Sequence, residues 1–81
     1  MTDSIKLLGI LVREPEVDTH YLQDTLTSYG CNIRTRLGIN GSETEKNALI
    51  LLELTGSETE QKNLQDRLQS IRGLEIQSMT F

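Results

Sequence analysis

The sequence predicts an α+β domain in which four strands form one antiparallel sheet and two helices cover one face of it. Apolar runs alternate with segments that carry helix signals, in the order strand, helix, strand, and this order occurs twice. Each helix-like segment also stops at a glycine, Gly30 or Gly73, before the next apolar run. The predicted element order is therefore βαββαβ, and residues 1–81 are expected to form a single domain.

The first strand is predicted over Ile5–Arg13. Both of its alternating sets of side chains are largely apolar, which is typical of a strand that is buried on both faces. Gly9 interrupts the run, and a glycine inside a strand marks a bulge or a close approach of another backbone.

The first helix is predicted over residues 14–28. Pro15 suits its first turn, because the N–H that proline lacks would have no helical partner there. Gly30 is predicted to take a left-handed conformation just beyond the last turn. The inward stripe is expected at helical spacing, on Leu22, Leu26 and Tyr29.

The second strand is predicted over Ile33–Ile39 from a clear alternation, with Ile33, Thr35, Leu37 and Ile39 on one side and polar residues on the other. Arg34 and Arg36 are expected to project from the polar side. These two arginines are candidates for contact with an anion or a partner. A solvated or salt-bridged surface role is the alternative.

The pentapeptide Gly-Ser-Glu-Thr-Glu occurs at 41–45 and again at 56–60, each time with the Ser-x-x-Glu pattern of a helix capping box. A helix is predicted from Ser57 to Ser70, with Leu64, Leu68 and Ile71 facing inward. The run Ala48–Leu54 is too short and too apolar for a surface helix, so we predict a buried strand there. A mixed fourth strand is predicted over Leu74–Phe81 at the edge of the sheet.

The first and third strands are the most apolar, and the sheet order 4-1-3-2 of a ferredoxin-like sandwich places them in the centre. Two helices cover only one face of such a sheet. Apolar side chains on the second face would remain exposed in a single chain, and exposed apolar area of this kind usually marks an interface. A homodimer is therefore expected, either face to face or edge to edge.

The charge balance argues against direct binding of nucleic acid. The chain has 8 Lys and Arg against 12 Asp and Glu, a net charge of −4, whereas nucleic-acid binding depends on basic groups that neutralise phosphates. No apolar run approaches the roughly 20 residues of a membrane helix, and the N-terminus has no signal-peptide pattern. The expected location is the cytoplasm.

Catalysis and metal binding are not expected. His20 is the only histidine and Cys31 the only cysteine, so the usual ligands of a metal site are missing. His20 lies off the inward stripe of the first helix and is predicted on the surface. About 15 Å of helix would separate it from Cys31, too far for a Cys–His pair in one chain, so Cys31 is predicted to be a buried packing residue. We therefore predict no catalytic residue, no metal and no cofactor.

The segment Gly30-Cys31-Asn32-Ile33 resembles the Gly-x-Asn-Ile-like turn with which ACT domains start their second strand. The stretches 32–40, 47–54 and 68–76 extend this likeness to a small ACT-like family of iron-only hydrogenase system regulators. The C-terminal domain of nickel-responsive repressors shares the same fold type. The resemblance implies a dimeric regulatory domain that binds a small effector between subunits and modulates a partner protein.

ACT domains bind their effectors near the loop between the first strand and the first helix. The resemblance places the effector contacts of this chain at Arg13, Glu14, Pro15, Glu16, Val17 and Asn32. This loop lacks the glycine that lets an amino-acid ligand approach the backbone in the family. A protein-interaction module without a ligand is therefore the alternative function.

Overall fold

The computed structural model describes residues 4–13, 18–40 and 48–81. The element order confirms the predicted βαββαβ plan, with one short 3-10 turn between the first helix and the second strand. The elements are β1 (Lys6–Val12), α1 (Thr19–Ser28), a 3-10 turn (Gly30–Asn32), β2 (Ile33–Asn40), β3 (Ala48–Leu54), α2 (Glu58–Gln69) and β4 (Leu74–Thr80).

The four strands form one antiparallel sheet in the order β2-β3-β1-β4. Read from the other edge, this is the predicted order 4-1-3-2, and the ferredoxin-like arrangement is confirmed. The two most apolar strands, β1 and β3, are central. Strand β4 lies at one edge, as predicted, and β2 lies at the other.

The hydrophobic core lies between the sheet and the two helices. Alternate residues of β1 and β3 point toward the helices, because side chains alternate across a strand. Helix α1 contributes Leu22 and Leu26. Helix α2 and the residues just after it contribute the predicted inward residues Leu64, Leu68 and Ile71. The buried apolar residues are Leu8, Ile10, Leu22, Leu26, Ile50, Leu52, Leu54, Leu64, Leu68 and Ile71.

Helix α1 begins later than the sequence predicts. Its N-cap is Asp18, which has a non-helical backbone and whose carboxylate accepts a hydrogen bond from the Tyr21 N–H at 3.0 Å. An aspartate cap satisfies one of the free N–H groups of the first turn. The predicted start at Pro15 is therefore wrong, and residues 14–17 lie outside the described part of the chain.

The two helix-ending glycines behave differently. Gly73 has a φ of +87°, so it takes the left-handed conformation that commonly follows a helix. Gly30 does not, because positive φ among the described glycines is confined to Gly56 and Gly73. Gly30 instead opens the 3-10 turn, and the prediction of a left-handed residue there is wrong.

Helix α2 follows its capping signal. The Ser57 hydroxyl accepts a hydrogen bond from the Glu60 N–H at 3.1 Å, as the first half of a capping box requires. The Glu60 side chain does not complete the box, because its carboxylate accepts a hydrogen bond from Asn32 instead. The second copy of the pentapeptide, at 41–45, lies outside the described residues.

The irregularity of the sheet lies in β2 and not at Gly9. Strand β1 pairs with both neighbours in continuous register through Gly9, so the bulge considered there is absent. The register of β2 against β3 shifts between Ile33 and Thr35. A bulge of this kind breaks the alternation of side chains between the two faces. Ile33 consequently packs against the core, whereas Thr35 pairs with Glu53.

Candidate functional site

The face of the sheet opposite the helices, here called the open face, carries exposed apolar side chains from several strands. Its residues follow from the strand register, since directly paired residues share a face. The open face consists of Leu7, Gly9 and Leu11 of β1, Leu49, Leu51 and Glu53 of β3, Thr35, Leu37 and Ile39 of β2, and Glu75, Gln77 and Met79 of β4.

Several large side chains of the open face are strongly exposed. Leu37 is 53% exposed, Met79 is 56% exposed and Ile39 is 45% exposed. The surface continues beyond the strands, where Ile5 and Phe81 exchange two backbone hydrogen bonds. Contiguous exposed apolar side chains of this kind usually mark an interaction site. The predicted exposed second face is therefore present.

A shallow depression of about 250 Å³ lies at the middle of the open face. It forms because Gly9, on a central strand, has no side chain. Leu11 and Leu49 form its apolar wall, and Glu75 and Gln77 form its polar side.

The charged groups of the open face are paired within the chain. The Arg13 guanidinium donates from Nε to Glu75 Oε1 at 2.9 Å, and its Nη2 lies 2.7 Å from the same oxygen. Arg34 lies 3.9 Å from Glu53, which also accepts a hydrogen bond from the Thr35 hydroxyl at 3.0 Å. These two arginines and two glutamates sum to zero charge, whereas the whole chain carries −4.

Arg34 and Arg36 do not form one cationic patch. Arg34 pairs with Glu53 on the open face. Arg36 stands opposite Leu52, which faces the helices, and donates a hydrogen bond to Gln23 of α1 at 2.8 Å. The expectation that both arginines project from one side of the strand is wrong, because the bulge at the start of β2 shifts the alternation.

Asn32 is buried and holds two segments of the fold together. Its amide Nδ2 donates to Glu60 Oε2 at 2.8 Å and to the Thr55 carbonyl at 3.3 Å. The backbone carbonyl of Asn32 accepts a hydrogen bond from the backbone N–H of Thr55 at 2.8 Å. The start of β2 is thereby tied to the loop between β3 and α2.

Gly56 in that loop makes room for the Asn32 amide. A Cβ added at Gly56 would lie 2.5 Å from Asn32 Nδ2, and the backbone there has a φ of +91°. Both facts require glycine. Sequence reasoning missed this pairing because the two residues are 24 positions apart, and only Asn32 was singled out.

Arg13 and Asn32, the two predicted effector residues that the structure describes, lie at opposite ends of the sheet. Arg13 follows the end of β1 at which Val12 pairs with Ala48, whereas Asn32 precedes the end of β2 at which Ile33 pairs with Leu54. A strand of this length separates these ends by about 20 Å. Residues 14–17 lie outside the described part of the chain, so the effector site stays a prediction.

His20 is exposed, as predicted, but so is Cys31. The prediction of a buried cysteine is wrong because the 3-10 turn directs Asn32 inward in its place. Within residues 4–13, 18–40 and 48–81, no group of three His, Cys, Asp or Glu side chains could hold a metal ion. No helix in the same ranges is long and apolar enough to cross a membrane.

A second concavity, of about 620 Å³, opens at the end of the sheet near the start of α2. Its lining is polar and of mixed charge, with Lys6 and Lys62 beside Glu58. Every buried side-chain nitrogen or oxygen of the described residues has a hydrogen-bond partner, so no buried unsatisfied side-chain atom of these residues points into this cleft.

No protein-family model matches this sequence. No curated protein matches it at a significant level. Solved structures do match. An uncharacterized protein, TM1266 from Thermotoga maritima, superposes with a TM-score of 0.83 at 21% identity, over 98% of this chain and 99% of that one.

Two further structures contain the same fold within longer chains. A formyltetrahydrofolate deformylase from Pseudomonas putida KT2440 matches with a TM-score of 0.55 at 11% identity, over 95% of this chain but only 28% of its own. LarC2, the C-terminal domain of a cyclometallase involved in the synthesis of the NPN cofactor of lactate racemase, matches at 0.54 and 8% identity. This chain is covered over 98%, and LarC2 over 56%.

These likenesses establish the fold. The chain is a small α+β domain with a ferredoxin-like fold, and the nearly complete mutual coverage with TM1266 shows that such a domain also occurs as a whole solved chain. Identities below a quarter of the aligned residues carry no activity from one protein to another.

Proposed function

We propose that this chain is a non-enzymatic ACT-like regulatory module that dimerises through the open face and modulates a partner protein. The observation that carries the proposal is the uncovered apolar face, on which Leu37, Ile39 and Met79 are each about half exposed. The helices cover one side of the sheet only. A second copy of the chain supplies the same kind of surface and can cover the other side.

The charge distribution favours self-association at this face. Arg13 with Glu75, and Arg34 with Glu53, neutralise each other inside one chain. The described charged groups of this face therefore add no net repulsion between two copies, although each chain carries −4 overall. Like charges across an interface would otherwise oppose association.

The area of the open face is that of a modest dimer. Four strands about 4.8 Å apart and seven residues long give a flat area of roughly 450 Å² per copy. Two copies that overlap over all four strands would bury roughly 900 Å² before the relief of the side chains is included, and an offset pair would bury less, against about 1,200–2,000 Å² for a stable interface. We therefore expect reversible dimerisation with a dissociation constant in the micromolar range.

An effector site between subunits is the second part of the proposal. It is supported by the resemblance to ACT domains and by the position of Arg13 at the rim of the open face, where Arg13 holds Glu75. A copy packed on the face would bring its own surface beside this rim. The same resemblance names hydrogenase systems as the setting of the regulated partner.

Sedimentation equilibrium of matched charge variants tests the dimer. Ile39→Lys places a charge on the open face, whereas Gln69→Lys adds the same charge at an exposed position of α2. We expect Ile39→Lys to raise the dissociation constant at least tenfold and Gln69→Lys to leave it within twofold. A wild-type chain that stays monomeric at tens of micromolar would refute the proposed dimer.

A ligand-free interaction module is the second candidate. It is favoured by Asn32, whose amide is already bonded to Glu60 and Thr55 within the fold. Thermal denaturation in the presence of amino acids, nucleotides and metal ions separates the two candidates, because a ligand of the folded state raises its melting temperature. Stabilisation by one compound that Arg13→Ala abolishes would support an effector, and no stabilisation would favour the module without a ligand.

A further inference from the structure

Gly9 is a glycine that the isolated chain does not need. Its φ is not in the left-handed region, where the described positive-φ glycines are Gly56 and Gly73. A Cβ at Gly9 would lie 3.7 Å from Leu51 Cδ2 and 3.9 Å from the Gln77 carbonyl oxygen, which is ordinary van der Waals contact. An alanine would therefore fit.

Glycine also weakens a strand interior relative to alanine, because it loses more backbone freedom on folding and has no side chain to pack. Gly9 lies in the middle of a central strand that pairs continuously on both sides. In the single chain, glycine at position 9 is therefore less stabilising than alanine, and neither its backbone conformation nor a close neighbour requires it. A side chain from outside the single chain that fills the space above Gly9 would explain why this position has no side chain of its own.

The open face provides a side chain of the complementary shape. The register places Leu37, Leu51, Gly9 and Gln77 side by side in one row across the four strands. In this row Leu37 protrudes from an edge strand and is 53% exposed, whereas Gly9 lies at the depression of about 250 Å³. Leu51 lies on β3, and its two neighbours in the row are Leu37 on β2 and Gly9 on β1.

We propose that the depression at Gly9 accepts Leu37 of a second copy of this chain, so that each copy inserts one leucine and receives one. This inference rests on the proposed dimer through the open face and specifies how the two faces fit. A cavity of about 150 Å³ is enough to hold a benzene molecule. The depression is thus large enough for one branched aliphatic side chain.

A simple symmetry produces this exchange. A two-fold axis that runs along β3, midway between two sheets packed about 10 Å apart, carries β2 of one copy over β1 of the other. Strands β2, β3 and β1 of the two copies then overlap, and β4 of each copy lies outside the overlap. Neighbouring strands are evenly spaced, so Leu37 then lies above Gly9, and the two Leu51 side chains meet at the axis. Glu53 also lies near this axis, and the Arg34 of its own chain neutralises it.

The proposed insertion is tested by exchanging the large side chain at position 37 with the missing side chain at position 9. Gly9→Leu fills the depression, Leu37→Ala removes the protrusion, and the double variant restores one large and one small residue. The two positions are two strands apart in one chain, about 10 Å, so their side chains do not pack together within it. Dissociation constants are measured by sedimentation equilibrium, and circular dichroism melts of dilute protein check that each variant folds.

We expect each single change to raise the dissociation constant about tenfold, and the double variant to recover to within about threefold of wild type. Gly9→Ala, which fits the single chain, is expected to weaken the dimer by a smaller factor while leaving the dilute melt unchanged or higher. This variant keeps the test decisive if Gly9→Leu does not fold.

Three outcomes would overturn the inference while leaving the proposed dimer intact. The first is a folded Gly9→Leu or Gly9→Ala chain that dimerises as tightly as wild type. The second is a double variant that is weaker than either single variant. The third is a small molecule that stabilises wild type but not Gly9→Leu while dimerisation is unchanged, because a ligand would then occupy the depression. A monomeric wild type would instead refute the proposed function.

Discussion

The two faces of the sheet are built from the same strands but end in different environments. On the helix side, Leu8 and Leu52 have no exposed surface and lie in the core with the two helices. On the open side, Leu7 and Leu51 next to them remain half-buried, and the charged pairs lie there as well. The comparison teaches that the two helices bury only one of the two apolar faces that these strands present.

The glycines repeat this contrast. Gly56 is required inside the single chain, because its backbone has positive φ and the Asn32 amide fills the place of its side chain. Gly9 is not required by the backbone or by a close neighbour. The contacts within one chain thus account for Gly56, whereas the proposed dimer is what would account for Gly9.

The largest expected effect comes from the helix side. Leu52→Ala should lower the free energy of unfolding by about 2–5 kcal/mol, because it leaves a cavity in a close-packed core. Urea denaturation followed by circular dichroism measures the loss. The loss should be the same in dilute and in concentrated protein, since Leu52 has no exposed surface through which a second chain could contact it.

Leu51→Ala is the matched control one residue away. The side chain is half-buried, so the loss in dilute protein should be about 1 kcal/mol. The loss should grow with protein concentration, because the variant is also expected to weaken the proposed dimer. Equal losses for Leu51→Ala at both concentrations would break the distinction between the faces.

The two glycines give the next effect. Gly56→Ala should cost about 2–4 kcal/mol, because alanine disfavours the left-handed backbone and its Cβ displaces the Asn32 amide. Gly9→Ala should leave the free energy of unfolding of dilute protein unchanged or raise it. The pair is compared by urea denaturation, and similar losses at both positions would show that Gly9 has a structural role inside the chain.

Removing the Asn32 amide should have an intermediate effect. Asn32→Ala is expected to cost about 1–3 kcal/mol, because it deletes the bonds to Glu60 and Thr55 in a buried position. Glu60→Gln, which keeps a side-chain oxygen as acceptor, should cost less and serves as the control. If Asn32→Ala leaves the midpoint of urea denaturation unchanged, the amide does not hold these two segments together.

The smallest effect is expected at the rim of the open face. Arg13→Ala should change the free energy of unfolding by less than about 1 kcal/mol, because the Arg13 and Glu75 side chains are 58% and 43% exposed. The effect should fade in high salt, since exposed ion pairs are screened. A loss that persists in 1 M salt would point to a packing role of the Arg13 side chain.

The alternation and capping signals were sufficient for most of the fold. Local patterns predict the strand Ala48–Leu54 and the inward stripe of Leu64 and Leu68, and the structure confirms both. The start of α1 was misplaced because proline and aspartate both suit a helix start, and Asp18 forms the cap. The burial of Cys31 was predicted wrongly because the 3-10 turn changes which residue points inward.

The candidate site was only partly accessible from the sequence. The apolar character of both sides of the first strand predicted an uncovered face, and this face is present. The row that joins Leu37 to Gly9 could not be predicted, because it depends on the register between strands and on the bulge in β2. The partners of Asn32 lie 23 and 28 residues away, beyond the reach of any local pattern.

By itself, the sequence determined the element order, the central place of the two most apolar strands and the existence of a second apolar face. These follow from periodicity and composition, which act along the chain. Only the tertiary structure decided that Arg34 and Arg36 contact different layers, that Asn32 is held by Glu60, and that Gly9 recedes beside Leu51. Those features depend on how distant segments meet, and strand register and loop geometry are fixed only when the whole sheet forms.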